Sequence, residues 1–322
     1  MNINFIVEDS GPLQYLGCAT AAKNLYRELS KSVDISYNDP SLDYDICHLH
    51  TFGPKSLLYL KRFKNKTVIT AHSTPHLNEG NLAFPGLVNW LYVPIYNQFD
   101  QIISVSKKCE RELKEIGCKP SITTIYNGID LEKFKPDGKK RERFREIYDI
   151  DTNELVILTV AQRTPRKGIY DFLALAKRFP ENTFLWVGGF PYGLFSKDFR
   201  KVSKAIEHRS KNALFPGFVE DIFEVYSGAD VFLMPSYAEG HSIVMLEALS
   251  MELPMISRQT EEFTEAFSDM LYYYDDINEI NSNTLDEKNL SAYKQKTKDV
   301  KKYDIKETAK QHVKLYEKMF HS

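Results

Sequence analysis

Two glutamates with seven residues between them, Glu239 and Glu247, bracket the string Gly240-His241-Ser242-Ile243-Val244-Met245-Leu246. The string follows the apolar run Asp230–Met234 and Pro235-Ser236, so it occupies a strand-to-helix turn. Gly240 permits an unusual backbone angle and Ser242 is a good N-cap, which predicts a helix starting near Ile243. The free N–H groups and partial positive charge at such a start bind anions. Glu239 stands just before that point and Glu247 one to two turns along the helix. One carboxylate can then meet ligand hydroxyls near a phosphate while the other meets a more distant hydroxyl, such as a ribose. A sugar nucleotide has that layout. The same residues also read as a solvated surface acid beside a capping serine.

A second string, Val160-Ala161-Gln162-Arg163-Thr164-Pro165-Arg166-Lys167-Gly168, follows the run Leu155–Ala161 and precedes another helical pattern. Arg163 and Lys167 project from a loop at a strand's carboxyl end, where a diphosphate needs cations. Arginine brings a planar fork of donors and lysine a point charge. Taken alone, this is also how an ordinary solvated loop looks.

Both strings need a scaffold, and the chain supplies one twice. In the first half, the runs Ile3–Val7, Ile35–Tyr37, Ile46–Leu49, Thr67–Ala71, Gln101–Val105 and Ile122–Tyr126 alternate with helical patterns, among them Ala19–Ser30, Lys55–Phe63, Leu87–Gln98 and Lys107–Ile116. Polar, turn-forming residues 135–141 read as a linker. Alternation then resumes with Leu155–Ala161, Thr183–Val187, Ala213–Phe215, Val231–Met234 and Met255–Ile256. Such alternation predicts βαβ units and parallel sheets covered on both faces. The expected organisation is an α/β domain over residues 1–136, a second over 137–304, and a closing helix over 305–322 that packs back towards the first. Ligands of open α/β sheets sit beyond the carboxyl ends of the strands, so two such edges facing one another make a slot for two substrates.

Composition narrows the classes. A chain of 322 residues exceeds what one core usually organises, and 43% hydrophobic with 27% charged residues describes a globular protein. The net charge of −2 gives no general attraction for nucleic acid. No apolar run approaches the roughly 18 to 20 residues of a membrane span. The N-terminal strand carries no charged leader, and the dispersed Cys18, Cys47, Cys109 and Cys118 form neither a zinc pattern nor a disulfide framework. Both features predict a cytoplasmic protein.

The paired glutamates and the Arg163…Lys167-Gly168 loop, in one doubly wound half, resemble the retaining glycosyltransferases of family four, which have the GT-B fold of two Rossmann-like domains. Phe215-Pro216-Gly217-Phe218-Val219 is similar to the family's strand before the nucleotide-base contact. Residues 226–236 resemble the helix and strand leading into the acidic motif. Glu265 falls where the family has a further glutamate. The resemblance implies that Arg163 and Lys167 neutralise a departing diphosphate, that Glu239 holds sugar hydroxyls and that Glu247 holds the ribose. It places Val219, Gly240, His241, Ser242 and Ile243 around the donor. It implies no nucleophilic carboxylate, no cofactor and no obligatory metal. In the first half it points to the glycines of the loop Glu8–Gly17, chiefly Gly11 and Gly17, as donor contacts. It also points to His72 in Thr70-Ala71-His72-Ser73 as a group near the transferred sugar, with His48 and His50 mainly structural. The chain departs from the family in three places. His241-Ser242 replaces Phe-Gly, which predicts a more polar wall beside the sugar. Glu252 replaces a glycine, and Glu261-Glu262 replace a glycine pair.

The acceptor is marked more faintly. Residues 54–66 form a short amphipathic helix with five cations, which suits an anionic membrane surface. Residues 84–96 are rich in aromatic and aliphatic side chains, as at a lipid boundary. Both also read as ordinary core-facing helices. The expected reaction is transfer from a nucleotide sugar, UDP-linked by family frequency, to a lipid or lipid-linked hydroxyl. Alternatives are a transferase for a soluble or surface polysaccharide and a non-catalytic sugar-nucleotide-binding subunit. A dinucleotide-dependent oxidoreductase is disfavoured because the first turn lacks G-x-G-x-x-G.

Overall fold

A computed structural model describes the chain except residues 10, 12, 13, 15 and 42 and the side chains of residues 54 and 56. Twelve strands among the described residues form two six-stranded sheets, each parallel throughout. The first comprises β1 (Asn2–Val7), β2 (Asp34–Tyr37), β3 (Ile46–His50), β4 (Lys66–Ala71), β5 (Gln101–Ser104) and β6 (Ser121–Thr124), in the order β2-β1-β3-β4-β5-β6. The second comprises β7 (Val156–Val160), β8 (Thr183–Val187), β9 (Ala213–Gly217), β10 (Val231–Met234), β11 (Met255–Arg258) and β12 (Tyr272–Tyr274), in the order β12-β11-β10-β7-β8-β9. Each sheet reverses its strand order beside its first strand, where parallel α/β sheets open a crevice. Central strands such as β3 and β8 are buried at every residue, as helices on both faces require.

The final helix, Ile305–Phe320, starts at Asp304, whose side chain accepts the Lys306 N–H. Its Ile305, Ala309, Tyr316 and Met319 share one core with Ile3, Phe5, Ala22 and Leu25 of the first half. Of the residues read as a linker, 138–141 are instead the start of a helix, Gly138–Ile147, capped by Asp137. Arg141 and Arg145 of this helix each lie 2.6 Å from Asp230, which anchors it on the second sheet. The single helix expected over Leu87–Gln98 is two short ones, Gly86–Asn89 and Tyr92–Tyr96. Pro94 has no N–H to bond back to the preceding turn, so the first helix stops before it.

The halves touch along the crevice. Leu82 pairs with Ser196 in an isolated antiparallel bridge, and the N–H groups of Ala83 and Lys197 donate to Phe195 and Asn81 at 3.0 and 2.9 Å.

Candidate active site

The loop after β7 turns sharply at Gly168, which has φ +76°. A Cβ there would lie 2.2 Å from the Pro235 carbonyl oxygen, so only glycine permits the approach to the end of β10. That approach carries Lys167 onto Glu239, with Nζ 2.5 Å from Oε1. Arg166 stands behind them, 3.4 Å from the same oxygen, and donates to the Ala238 carbonyl and to Asn81 Oδ1. Burial lowers the Lys167 pKa to about 8, while Glu239 resists the fall. For Glu239 burial pushes upward, but Lys167 and Arg166 outweigh it and hold the carboxyl below its ordinary range. Both partners are therefore ionised at neutral pH.

Arg163 has no such partner. Its Nη2 donates to the Phe215 carbonyl at 3.2 Å and its guanidinium lies 5.3 Å from the Phe215 ring centre. Its Nε is sealed without a hydrogen bond, and among the described residues it joins no ion pair. Burial, with Arg209 nearby, holds its pKa below the usual value. A half-buried cation lacking a counter-ion is suited to receive an anion.

Two helix starts meet a few residues beyond Glu239. Among the described residues, neither Ile243–Ser250 nor Gly17–Leu29 has a side-chain cap, and neither has an acid in its first turn. A Cβ on Gly17 would lie 3.5 Å from Ile243 Cγ2, so the two positive ends face each other across the crevice. Ser242 occupies the N-cap position, but its side chain makes no cap bond, which leaves those N–H groups free for a ligand. Gly240 is needed for a different reason than a positive φ, which it lacks. A Cβ there would lie 3.0 Å from the His72 carbonyl oxygen of the opposite half.

Glu247 is 5% exposed and accepts a 2.8 Å bond from the Tyr226 hydroxyl. Burial raises its pKa to about 7. His241 does not form a polar wall at the crevice. Its ring stacks on Phe267 (centroids 5.8 Å apart) and packs against Tyr126 and Tyr303. Its Nδ1 accepts the Asn127 N–H at 3.1 Å and its carbonyl accepts the Asn127 amide at 2.8 Å. The aromatic surroundings draw the ring inward, and burial lowers its pKa to about 3.

Glu261 and Glu262 face the first half. Glu262 accepts the Glu239 N–H at 2.6 Å through one oxygen and meets Lys108 at 3.0 Å through the other. Glu261 pairs with Arg111, and Glu265 accepts from the Lys107 N–H and the Tyr126 hydroxyl. Three acids of one short helix thus clasp the start of helix Lys107–Glu115. Sequence reading missed Arg166, Tyr226 and Lys108 here. The glutamate pair standing for two glycines was the one available signal.

His72 follows β4, and its Nε2 lies 3.0 Å from Nδ1 of His50 at the end of β3. Burial pushes the His72 pKa to about 3. Gly11 has φ +56°, and a Cβ added there would meet no heavy atom within 4 Å, while residues 10, 12, 13 and 15 of the same loop lie outside the described residues. Val219 is half-buried and packs on the core of the second half. Among the five cations of residues 54–66, Lys55 turns inward, 3.5 Å from Asp9 and bonded to the Val7 carbonyl.

Comparison with known proteins follows the same division. The family model described as Glycosyl transferases group 1 matches residues 140–297, and that described as Glycosyltransferase Family 4 matches residues 9–133. An alpha-galactosylglucosyldiacylglycerol synthase of Streptococcus pneumoniae is 30% identical over 247 residues, covering 74% of this chain and 66% of that protein. A processive diacylglycerol alpha-glucosyltransferase of Acholeplasma laidlawii is 29% identical, covering 71% and 70%. The chain thus spans about two thirds of the length of these relatives. The crystal structure of Anabaena HepE in complex with UDP and glucose superposes with a TM-score of 0.76 at 16% identity, over 98% of this chain and 99% of that one. That likeness concerns the fold.

Proposed function

We propose that this chain, which belongs to the group 1 glycosyl transferases of family four, moves a sugar from a nucleoside diphosphate to a hydroxyl of a lipid or lipid-linked acceptor. The observation that carries this reading is the Lys167–Glu239 pair beside the helix starts at Ile243 and Gly17, with Arg163, on the same loop as Lys167, joining no ion pair among the described residues.

An entering diphosphate takes Lys167 from Glu239 and gives Arg163 its missing counter-ion. The freed Glu239 then accepts sugar hydroxyls, and Glu247, a turn or two along, accepts those of the ribose. As the glycosidic bond breaks, negative charge grows on the leaving phosphate, where the cations and helix dipoles already point. We assign retention of configuration, with the leaving phosphate taking the acceptor's proton on the same face. Glu239 is committed to hydroxyl binding, so no carboxylate is named as nucleophile. The cations carry the charge stabilisation that a divalent metal would otherwise give, and we propose no metal or other cofactor. UDP is the first carrier to test, because the Anabaena structure holds it.

Lipid-active relatives direct attention to the rim of the crevice. Phe84, Leu87 and Trp90 are 67%, 72% and 67% exposed on the first half, and Leu194 and Phe195 are similarly exposed on the second. The Leu82–Ser196 bridge brings the two groups to one rim. With exposed Lys61, Arg62 and Lys64 this suits peripheral contact with an anionic cytoplasmic membrane face. No helix among the described residues is long and apolar enough to cross a membrane.

A panel of nucleotide sugars, read by thermal shift and by transfer of label to diacylglycerol vesicles, tests the proposal. Stabilisation by a nucleoside diphosphate and labelled lipid are expected. Indifference to every nucleotide overturns the reading. Labelling of a soluble saccharide, with no sedimentation on anionic vesicles, supports the polysaccharide alternative.

A further inference from the structure

We infer that His50 is a positioning residue that fixes the tautomer of His72, so that His72 offers a hydrogen-bond donor, not a base, to the crevice. The inference rests on the proposed function for its substrate but not for its chemistry. β3 and β4 are parallel neighbours with His50 paired to Thr70, which puts the His72 ring beside that of His50. One proton bridges His50 Nδ1 and His72 Nε2, 3.0 Å apart. Both rings are neutral near pH 7, because burial holds each below its ordinary value. Either ring can in principle supply that proton.

The rest of His50 decides which does. His50 is 2% exposed, its ring lies against Phe5 and His48, and its Nε2 is sealed with no partner among the described residues. If His72 were the donor, neutral His50 would carry its own hydrogen on that sealed Nε2. A buried N–H without an acceptor bears its full desolvation penalty; His241 bears it at Nε2 because the Asn127 N–H makes its Nδ1 the acceptor, whereas no such donor fixes His50. With the proton on Nδ1 of His50, Nε2 keeps only a lone pair. His50 therefore donates, His72 accepts at Nε2, and neutral His72 carries its hydrogen on Nδ1. That nitrogen is not sealed and has no partner among the described residues. It faces the ligand as an N–H, suited to a sugar hydroxyl or glycosidic oxygen and unable to accept a proton from the acceptor. This agrees with deprotonation by the leaving phosphate.

Long-range proton–nitrogen NMR of imidazole-labelled protein, with the His72 signals assigned through His72→Gln, reads the tautomer directly. The hydrogen on Nδ1 of His72 is expected in the unaltered protein, without any substrate. Hydrogen on Nε2 overturns the inference, whether or not the protein transfers sugar. His50→Phe, which keeps the ring and removes the donor, is expected to release the tautomer and lower kcat by roughly 10 to 100-fold with donor KM little changed. His50→Gln retains an N–H donor and is expected to keep both the Nδ1 tautomer and most of the turnover. Equal loss in the two variants, with the tautomer unmoved, marks His50 as structural and also overturns the inference. If no nucleotide sugar turns over at all, the proposed reaction fails while the NMR result still decides the tautomer.

Discussion

Lys167 Nζ sits 2.5 Å from Glu239 Oε1, so the cation assigned to the diphosphate and the carboxylate assigned to the sugar neutralise each other at the crevice. Each must be released for the other to work, and ligand binding exchanges one buried ion pair for two ligand contacts. Removing Glu239 strands two buried cations, Lys167 and Arg166, at a cost of about 3 to 5 kcal/mol, and removing Lys167 costs less because Arg166 still faces Glu239. Glu239→Gln and Lys167→Met are each expected to destabilise the protein in urea titrations. The double variant is expected to lose clearly less than the sum, and additive losses contradict the pairing.

Arg163 makes the opposite prediction. Arg163→Ala removes a cation without a counter-ion, so folding stability is expected to stay within about 0.5 kcal/mol or rise slightly. Nucleoside diphosphate affinity is expected to fall by about 10 to 100-fold in calorimetric titration, the worth of one or two charge-assisted hydrogen bonds. A stability loss with unchanged affinity contradicts the assignment.

Glu247 titrates at about 7 in the fold against an ordinary 4.5, so the folded state binds more protons between those values. Stability therefore declines as pH rises from about 4.5 to 7 on account of this residue. Glu247→Gln is expected to be more stable than the parent at pH 8, by about 1 to 3 kcal/mol, in denaturant titrations without nucleotide. The same change weakens binding of nucleosides bearing a free ribose. Parent affinity is expected to rise through pH 7 as the carboxylate forms.

The buried histidines act in the other direction. His72 and His241 titrate at about 3 and His312 at about 4 in the fold, against 6.5 when unfolded. Below 6.5 the unfolded chain takes up protons that the folded chain refuses, so stability falls as pH drops from 6.5 towards 4. Each histidine contributes about 1.4 kcal/mol per pH unit in that window. Denaturation midpoints measured between pH 7 and pH 5 test this, and His312→Gln is expected to flatten the slope.

The two sheets were legible because apolar runs recur at the spacing of βαβ units. Thr183–Val187 and Val231–Met234 fall at their expected bounds. Tyr272–Tyr274 escaped, being a three-residue edge strand without an apolar run. The start of helix Gly138–Ile147 reads as linker because its cations look solvated, whereas Arg141 and Arg145 find Asp230 more than 80 residues away. The same limit applies within the site. Residue types and strand ends pointed to Arg163, Lys167, Glu239 and Glu247, but the Lys167–Glu239 contact spans 72 residues and depends on Gly168 against Pro235. His241 departs from expectation because its destination is an aromatic cluster drawn from Tyr126, Phe267 and Tyr303, three distant segments.

The closing helix has a consequence for biosynthesis. Its Tyr316 hydroxyl meets His48, and its apolar face covers Ile3, Phe5 and Leu25. The half of the molecule made first on the ribosome must therefore wait with that patch bare until helix Ile305–Phe320 emerges. The half made second needs no such delay. The first half is thus completed after the second, and the interval in which the nascent chain presents an uncovered surface to chaperones lasts through translation of the whole second half.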